Sequence, residues 1–197
     1  MKMTPKTSPG WGRCAAANWS AASLDVRRPD TLYCAMTIEN VHDRQQLQRV
    51  ETLAREIWAE HYTPIIGRAQ VAYMLETFQN SEAMAQQLGE GYLYYLLREE
   101  SEDIGYMAVK AEGERLFLSK LYVKASHRGK GHGKAALAFL SEMAAKEGLQ
   151  TIELTVNKNN TDSISVYERL GFVNKGALKQ PIGEGFVMDD YRMEKCL

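Results

Sequence analysis

Cysteine is scarce in this chain of 197 residues: Cys14, Cys34 and Cys196 lie near the two ends, with no Cys-x-x-Cys spacing. Three thiols cannot all pair within one chain, so a disulfide scaffold is excluded and a reducing cytoplasm is the expected compartment. Long apolar runs are missing too. None approaches the ~20 residues of a membrane span, and the amino-terminal stretch lacks the continuous apolar segment of a secretory signal. Net charge is nearly absent, at a formal -1, so no global field favours nucleic acid or a membrane surface, and neither is expected as a partner. Proline is sparse as well, and three of the five fall within residues 1–35 together with two of the three tryptophans.

What is present suits one domain with an appended segment. Residues 1–35 show no helical or alternating apolar period and read as a poorly structured extension. The folded domain is expected over 36–197, opening on the strand-like Met36-Thr-Ile-Glu-Asn-Val. Asp43 is placed to cap a helix whose apolar residues Leu47, Val50, Leu53, Ala54 and Ile57 recur every three or four positions. A loop with Pro64 and Gly67 ends it, a second short helix carries Val71, Met74, Leu75 and Phe78, and Ser81 to Leu88 adds a turn. Tyr92 to Leu97, Tyr106 to Lys110 and Leu116 to Lys124 read as a meander of strands. Further on come a helix bearing Leu137, Leu140 and Met143, a strand with Ile152, Leu154 and Val156, and a helix with Ile164, Tyr167 and Leu170. Phe172 to Leu178 and Phe186 to Met193 are expected as closing strands, making the chain α/β (α+β).

Between strand and helix lies Lys124-Ala-Ser-His-Arg-Gly-Lys-Gly-His-Gly-Lys134, and from Leu116 to Lys134 there are five Lys or Arg and no acid. Gly129, Gly131 and Gly133 let a backbone approach an anion, and the following helix offers its free N–H groups, so the stretch reads as a pyrophosphate cradle. A Walker loop fails on Arg128 and Ala135, which stand where glycine and Ser/Thr are needed. The dinucleotide pattern fits Gly131-His-Gly133-Lys-Ala-Ala136. Too little chain follows to build two mononucleotide halves, however, and Glu153 lies inside its strand instead of at its end. Taken singly, Lys120, Lys124, Lys130 and Lys134 read as solvated cations, and His127 and His132 as solvated loop histidines.

Two motifs then agree in order and spacing: Arg128-Gly-Lys-Gly131-His-Gly133, and Asn160-Thr-Asp-Ser163-Ile-Ser-Val-Tyr167-Glu-Arg-Leu-Gly171-Phe172. Through them Met36 to Leu197 resembles the GNAT superfamily of acetyl-CoA-dependent N-acetyltransferases. The resemblance implies a mixed, mostly antiparallel central sheet of about six to seven strands flanked by about four helices. It implies acetyl-CoA as cosubstrate, a small primary amine as partner (polyamine-like or amino-acid-like), no metal, and room for a homodimer. Leu121, Tyr122 and Val123 would pair with the pantetheine arm, and Asn160 would hold it. Arg128, Gly129, Lys130, Gly131, His132, Gly133 and Lys134 would take the pyrophosphate, and Tyr167 would be the general acid. Thr155 stands where some members carry a glutamate base, which leaves Glu153, Glu76 or a water wire to take the amine's proton. The acceptor is expected against residues 60–64 and 70–74. A non-catalytic acyl-CoA module and an enzyme acting on a protein amine are the rival readings.

Overall fold

The computed structural model describes the backbone of Leu24–Asp25 and all of residues 36–197; the rest of the expected extension, with Cys14 and Cys34, lies outside the described residues. Leu24–Asp25 form a two-residue strand, β1, antiparallel to β2 (Met36–Asn40). Four helices follow: α1 (Arg44–His61), α2 (Thr63–Ile66), α3 (Arg68–Phe78) and α4 (Ser81–Gly89). Then come β3 (Leu93–Glu99), β4 (Glu102–Glu112), β5 (Arg115–Val123), α5 (His132–Lys146), β6 (Thr151–Asn157), α6 (Thr161–Arg169), β7 (Val173–Gly183) and β8 (Phe186–Cys196). The strands form one sheet in the order β1-β2-β3-β4-β5-β6-β8-β7, antiparallel everywhere except between β5 and β6.

Local chemistry explains most boundaries. The Asp43 side chain accepts from the Gln46 N–H at 2.8 Å while the Gln46 side-chain oxygen accepts from the Asp43 N–H at 3.2 Å, a reciprocal cap that starts α1. Among the described residues six helices stand where about four were expected, because Pro64 opens the short α2 from its first turn instead of merely ending α1. Asn80 then caps a full α4 through the Ala83 N–H at 2.8 Å. Helices cover both faces of the sheet. Tyr94 and Leu96 of β3 pack with α1, α3 and α4, whereas Tyr95 and Leu97 pack with α5 and β6. That is why the run Tyr92 to Leu97 is continuously apolar and not alternating.

The feature that makes a site is where the pairing stops. β5 and β6 are paired only from Arg115/Thr151 to Leu118/Leu154, so beyond those residues the two strands diverge. A register slip between β4 and β5 inserts Ser119 as an extra residue at the branch point. At Gly105 the β4 backbone comes so close to β5 that an added Cβ would sit 2.3 Å from the Tyr122 carbonyl oxygen. The β6-facing edge of β5 from Ser119 onward is therefore left open beside α5 and α6.

Candidate active site

One cavity of about 500 Å³ occupies the wedge between the diverging strands. Gly131 caps α5 in the left-handed region at φ 91°, and Gly129 is left-handed too, at φ 77°. A Cβ is disfavoured at both, so the glycine loop follows from backbone geometry. With no side chain capping α5, its first-turn N–H groups remain available beside the cavity. Leu121, Tyr122, Val123, Arg128, Gly129, Gly131, His132, Gly133, Lys134, Asn160 and Tyr167 all line this space, and of the residues expected to hold acetyl-CoA or protonate its thiolate only Lys130 does not. Arg128 also turns its side chain back, its Nε donating to the Val123 carbonyl at 2.9 Å and pinning the end of β5.

Two sequence expectations change. His132 is not a solvated loop residue but 4% exposed, with its Nε2 3.7 Å from Glu99, and burial holds its pKa down. His127 lies beside it, 3.4 Å from the same carboxylate. On α6, Tyr167 packs edge-on against Phe172 at 5.4 Å between ring centres, and burial pushes its phenol pKa well up. The buried Asn160 side chain lies within hydrogen-bonding reach of the His61 imidazole and the Tyr62 hydroxyl. Burial also lowers the His61 pKa, so that ring is neutral at physiological pH.

A second cavity of about 370 Å³ lies on the other side of the branch point. Both cavities touch Tyr62, Tyr122, Thr155 and Val156, which form their common wall. Trp58 stacks on Tyr62 at 4.5 Å and meets Tyr122 edge-on at 5.5 Å, while the Tyr62 and Tyr122 hydroxyls lie within hydrogen-bonding reach of each other. Burial raises both phenols, so neither ionises at neutral pH. Below them the Trp58 indole N–H donates to the Tyr106 hydroxyl at 3.3 Å, which donates to Gln79 at 3.2 Å. The β7–β8 hairpin is latched across α3: the Tyr73 hydroxyl donates to the Ile182 carbonyl at 2.5 Å and the Gln70 amide to that of Val187 at 3.0 Å.

Neither acid named from the sequence reaches this wall. Glu153 is tied to Arg115 at 3.1 Å, Glu76 is exposed on α3, and neither lines a cavity. The acid that does reach it is Asp190 of β8, which lines the second cavity and is 6% exposed. Asp190 stands opposite Asn157, so it is the diagonal neighbour of Thr155, whose hydroxyl lies within hydrogen-bonding reach of its carboxylate. Burial is the main cause that raises the Asp190 pKa to about 6, with Asp189 adding to it. Lys120 was also misread as solvated: it is 6% exposed and lines the same cavity. The available signal was a charge at an inward position of an apolar strand, Asp190 within Phe186 to Met193 and Lys120 within Leu116 to Val123.

Residues 50–172, more than half of the chain, match the acetyltransferase (GNAT) family. The chain belongs to that family. As a GNAT protein it is an acetyl-CoA-dependent N-acetyltransferase, and the glycine loop, uncapped helix and open strand edge suit a long ligand ending in pyrophosphate. It is 29% identical to the uncharacterized N-acetyltransferase YhdJ of Bacillus subtilis over 143 residues, 66% of this chain and 94% of that protein. Its similarity to the ribosomal protein bS18-alanine N-acetyltransferase of Escherichia coli is 27% over 93 residues, 47% of this chain and 63% of that one. Its fold matches the crystal structure of a PaiA N-acetyltransferase from Thermoplasma acidophilum in complex with coenzyme A, with a TM-score of 0.69, 22% identity, and coverage of 82% and 99%. The GNAT sheet here is the mixed, mostly antiparallel one expected.

Proposed function

We propose that this GNAT enzyme moves the acetyl group directly to the primary amine of a small molecule, with both substrates bound at once. The observation that carries the reading is the common wall of Tyr62, Tyr122, Thr155 and Val156, through which two cavities of unlike character meet. In this reading the larger cavity holds the donor, with the β5 edge at Leu121–Val123 and Asn160 along the pantetheine and the loop Arg128–Lys134 at the pyrophosphate. The smaller one holds the amine.

An alkylammonium has a pKa near ~10.4 and cannot attack until it loses a proton. Asp190 is the base we assign. Burial raises its pKa and lowers that of an ammonium brought beside it, which narrows the gap between them. Thr155 keeps the carboxylate aimed at the common wall. As the nitrogen bonds to the acetyl carbon, the oxygen develops negative charge, and the Val123 N–H at the end of β5 is placed to donate to it. Tyr167 stays protonated at all relevant pH values, so it first donates a hydrogen bond to the departing thiolate. The C–S bond then breaks, Tyr167 passes its proton to the thiolate and takes up the surplus proton of the attacking nitrogen, so the amide leaves neutral; in the dry cavity the thiol's own pKa of ~8.5 also rises.

The similarity to an enzyme named for a ribosomal protein's alanine favours one other reading, a peptide amine as acceptor. The latched hairpin and the modest second cavity support the small molecule instead. A thiol-release assay with acetyl-CoA across polyamines, amino acids, aminoglycosides and peptides tests this. Turnover with free small amines is expected; turnover with peptides alone overturns the reading, and none with any amine removes the catalytic assignment.

A further inference from the structure

The acceptor cavity holds a buried cation that the chemistry above does not use. Lys120 lies on β5 two residues from Tyr122, on the same face and about 7 Å away along the strand. Its Nζ donates to the Gln87 side-chain oxygen at 2.9 Å and sits 3.4 Å from the Ser119 hydroxyl. The rings of Tyr92 and Tyr94 face it at 5.7 and 5.2 Å. Gln87 offers little more, because the same oxygen accepts from the Tyr94 hydroxyl at 2.5 Å.

Among the described residues no carboxylate pairs with Lys120. Of the two acids lining this cavity, Asp190 is engaged by Thr155 at the common wall and Glu90 is exposed at the rim, where Gln86 donates to it at 2.8 Å. A buried charge without a counter-ion is costly, and apolar residues of similar size would fill the place at less cost. Burial lowers the Lys120 pKa to about 8, so the ammonium is still largely charged at neutral pH.

We propose that Lys120 is the carboxylate-binding residue of the acceptor site, and that the acceptor is an amino acid whose amine lies at the common wall while its carboxylate meets the Lys120 ammonium. The proposal rests on the small-amine reading above. A polyamine fits poorly, since its second ammonium would be driven toward a buried like charge. Met74, Phe78 and Met188 line the remaining wall, which suits an apolar side chain. An ammonium donating to a carboxylate is a charge-assisted bond, among the stronger hydrogen bonds available in such a cavity.

The test compares acceptors that differ only in the carboxylate, phenylalanine against phenethylamine and leucine against isopentylamine, with spermidine as the dication. Kinetics are measured for the wild-type protein and for Lys120→Met. The wild type is expected to favour each amino acid in kcat/KM by about 10- to 100-fold, the range of a hydrogen bond to a charged group. In Lys120→Met that ratio is expected to collapse toward one through a higher KM for the amino acid. A wild type that prefers spermidine or the decarboxylated amines overturns the proposal, as does a ratio that Lys120→Met leaves in place. If the wild type acetylates nothing, calorimetry of N-acetylphenylalanine against the coenzyme A-loaded protein decides separately. Binding that Lys120→Met abolishes upholds the carboxylate subsite while the catalytic reading fails, and absence of wild-type binding removes both.

Discussion

The two cavities are built by different means. The donor side is made mainly of backbone: a strand edge left unpaired past Leu118, two left-handed glycines and the open first turn of α5, much of it within one continuous stretch of chain. The second cavity, the acceptor side in the reading proposed above, is made of side chains from α1, α2, α3, α4, β5, β6, β7 and β8, with Trp58, Lys120 and Asp190 brought together from distant parts of the sequence. On the proposed reading the donor is recognised by geometry that few residue types allow, and the amine by chemistry that many residue types can supply.

The sharpest way to break that contrast is at Tyr167, which lines the larger cavity alone. Tyr167→Phe removes a hydroxyl and almost no volume, so turnover is expected to fall by about 10²–10⁴-fold while acetyl-CoA binding, followed by calorimetry, persists. Unchanged turnover would mean that water protonates the thiolate. Next in size is Asp190→Asn, expected to lower kcat/KM by about 10²-fold. In the wild type kcat/KM should fall as pH drops through about 6, where Asp190 takes up its proton, and the variant should lack that limb. A profile of the same shape in both proteins would assign the limb to another group. On the donor side Gly131→Val must adopt φ 91°, a strain of about 1–3 kcal/mol, and acetyl-CoA binding should weaken by roughly 10- to 100-fold or be lost. Loss of amine binding in the same variant would show that the cavities are not separate.

The same contrast explains what could be read from the sequence. Arg128 to Lys134 was legible because a left-handed turn leading into a helix restricts residue type at fixed spacing, and all but Lys130 do line the donor cavity. Asp43, through its cap on α1, was legible for a similar local reason. Asp190 was not, since its role depends on β8 pairing with β6 and so standing diagonal to Thr155, a relation that no spacing along the chain encodes. Glu153 misled because it shares a strand face with Thr155 yet stands where β6 is still paired to β5, opposite Phe117, short of the opening that makes the cavity. It pairs with Arg115 instead. Lys120 was hidden by a correct general rule, that lysines are exposed, which fails where a strand carries one into a cavity.

The smallest expected effect bears on why the acceptor side carries Asp190 at all. In an unfolded chain an aspartate titrates near ~3.9, whereas in the fold burial raises this one to about 6. Between those values the folded protein holds a proton that the unfolded chain has released, so stability declines as pH rises through that window. Above about pH 6 the full cost of the buried carboxylate is present; below about pH 4 it is absent. Asp190→Asn keeps an acceptor for the Thr155 hydroxyl and removes the charge, so it should be more stable than the wild type at pH 8 by about 1–3 kcal/mol. At about 2–4 °C per kcal/mol that is a gain of several degrees in Tm, shrinking to nothing near pH 4. A variant that is both more stable and less active would mark Asp190 as a group retained for chemistry against the interest of the fold. Equal Tm values at pH 8 would place the carboxylate in water and remove the basis for its raised pKa and for its choice as the base.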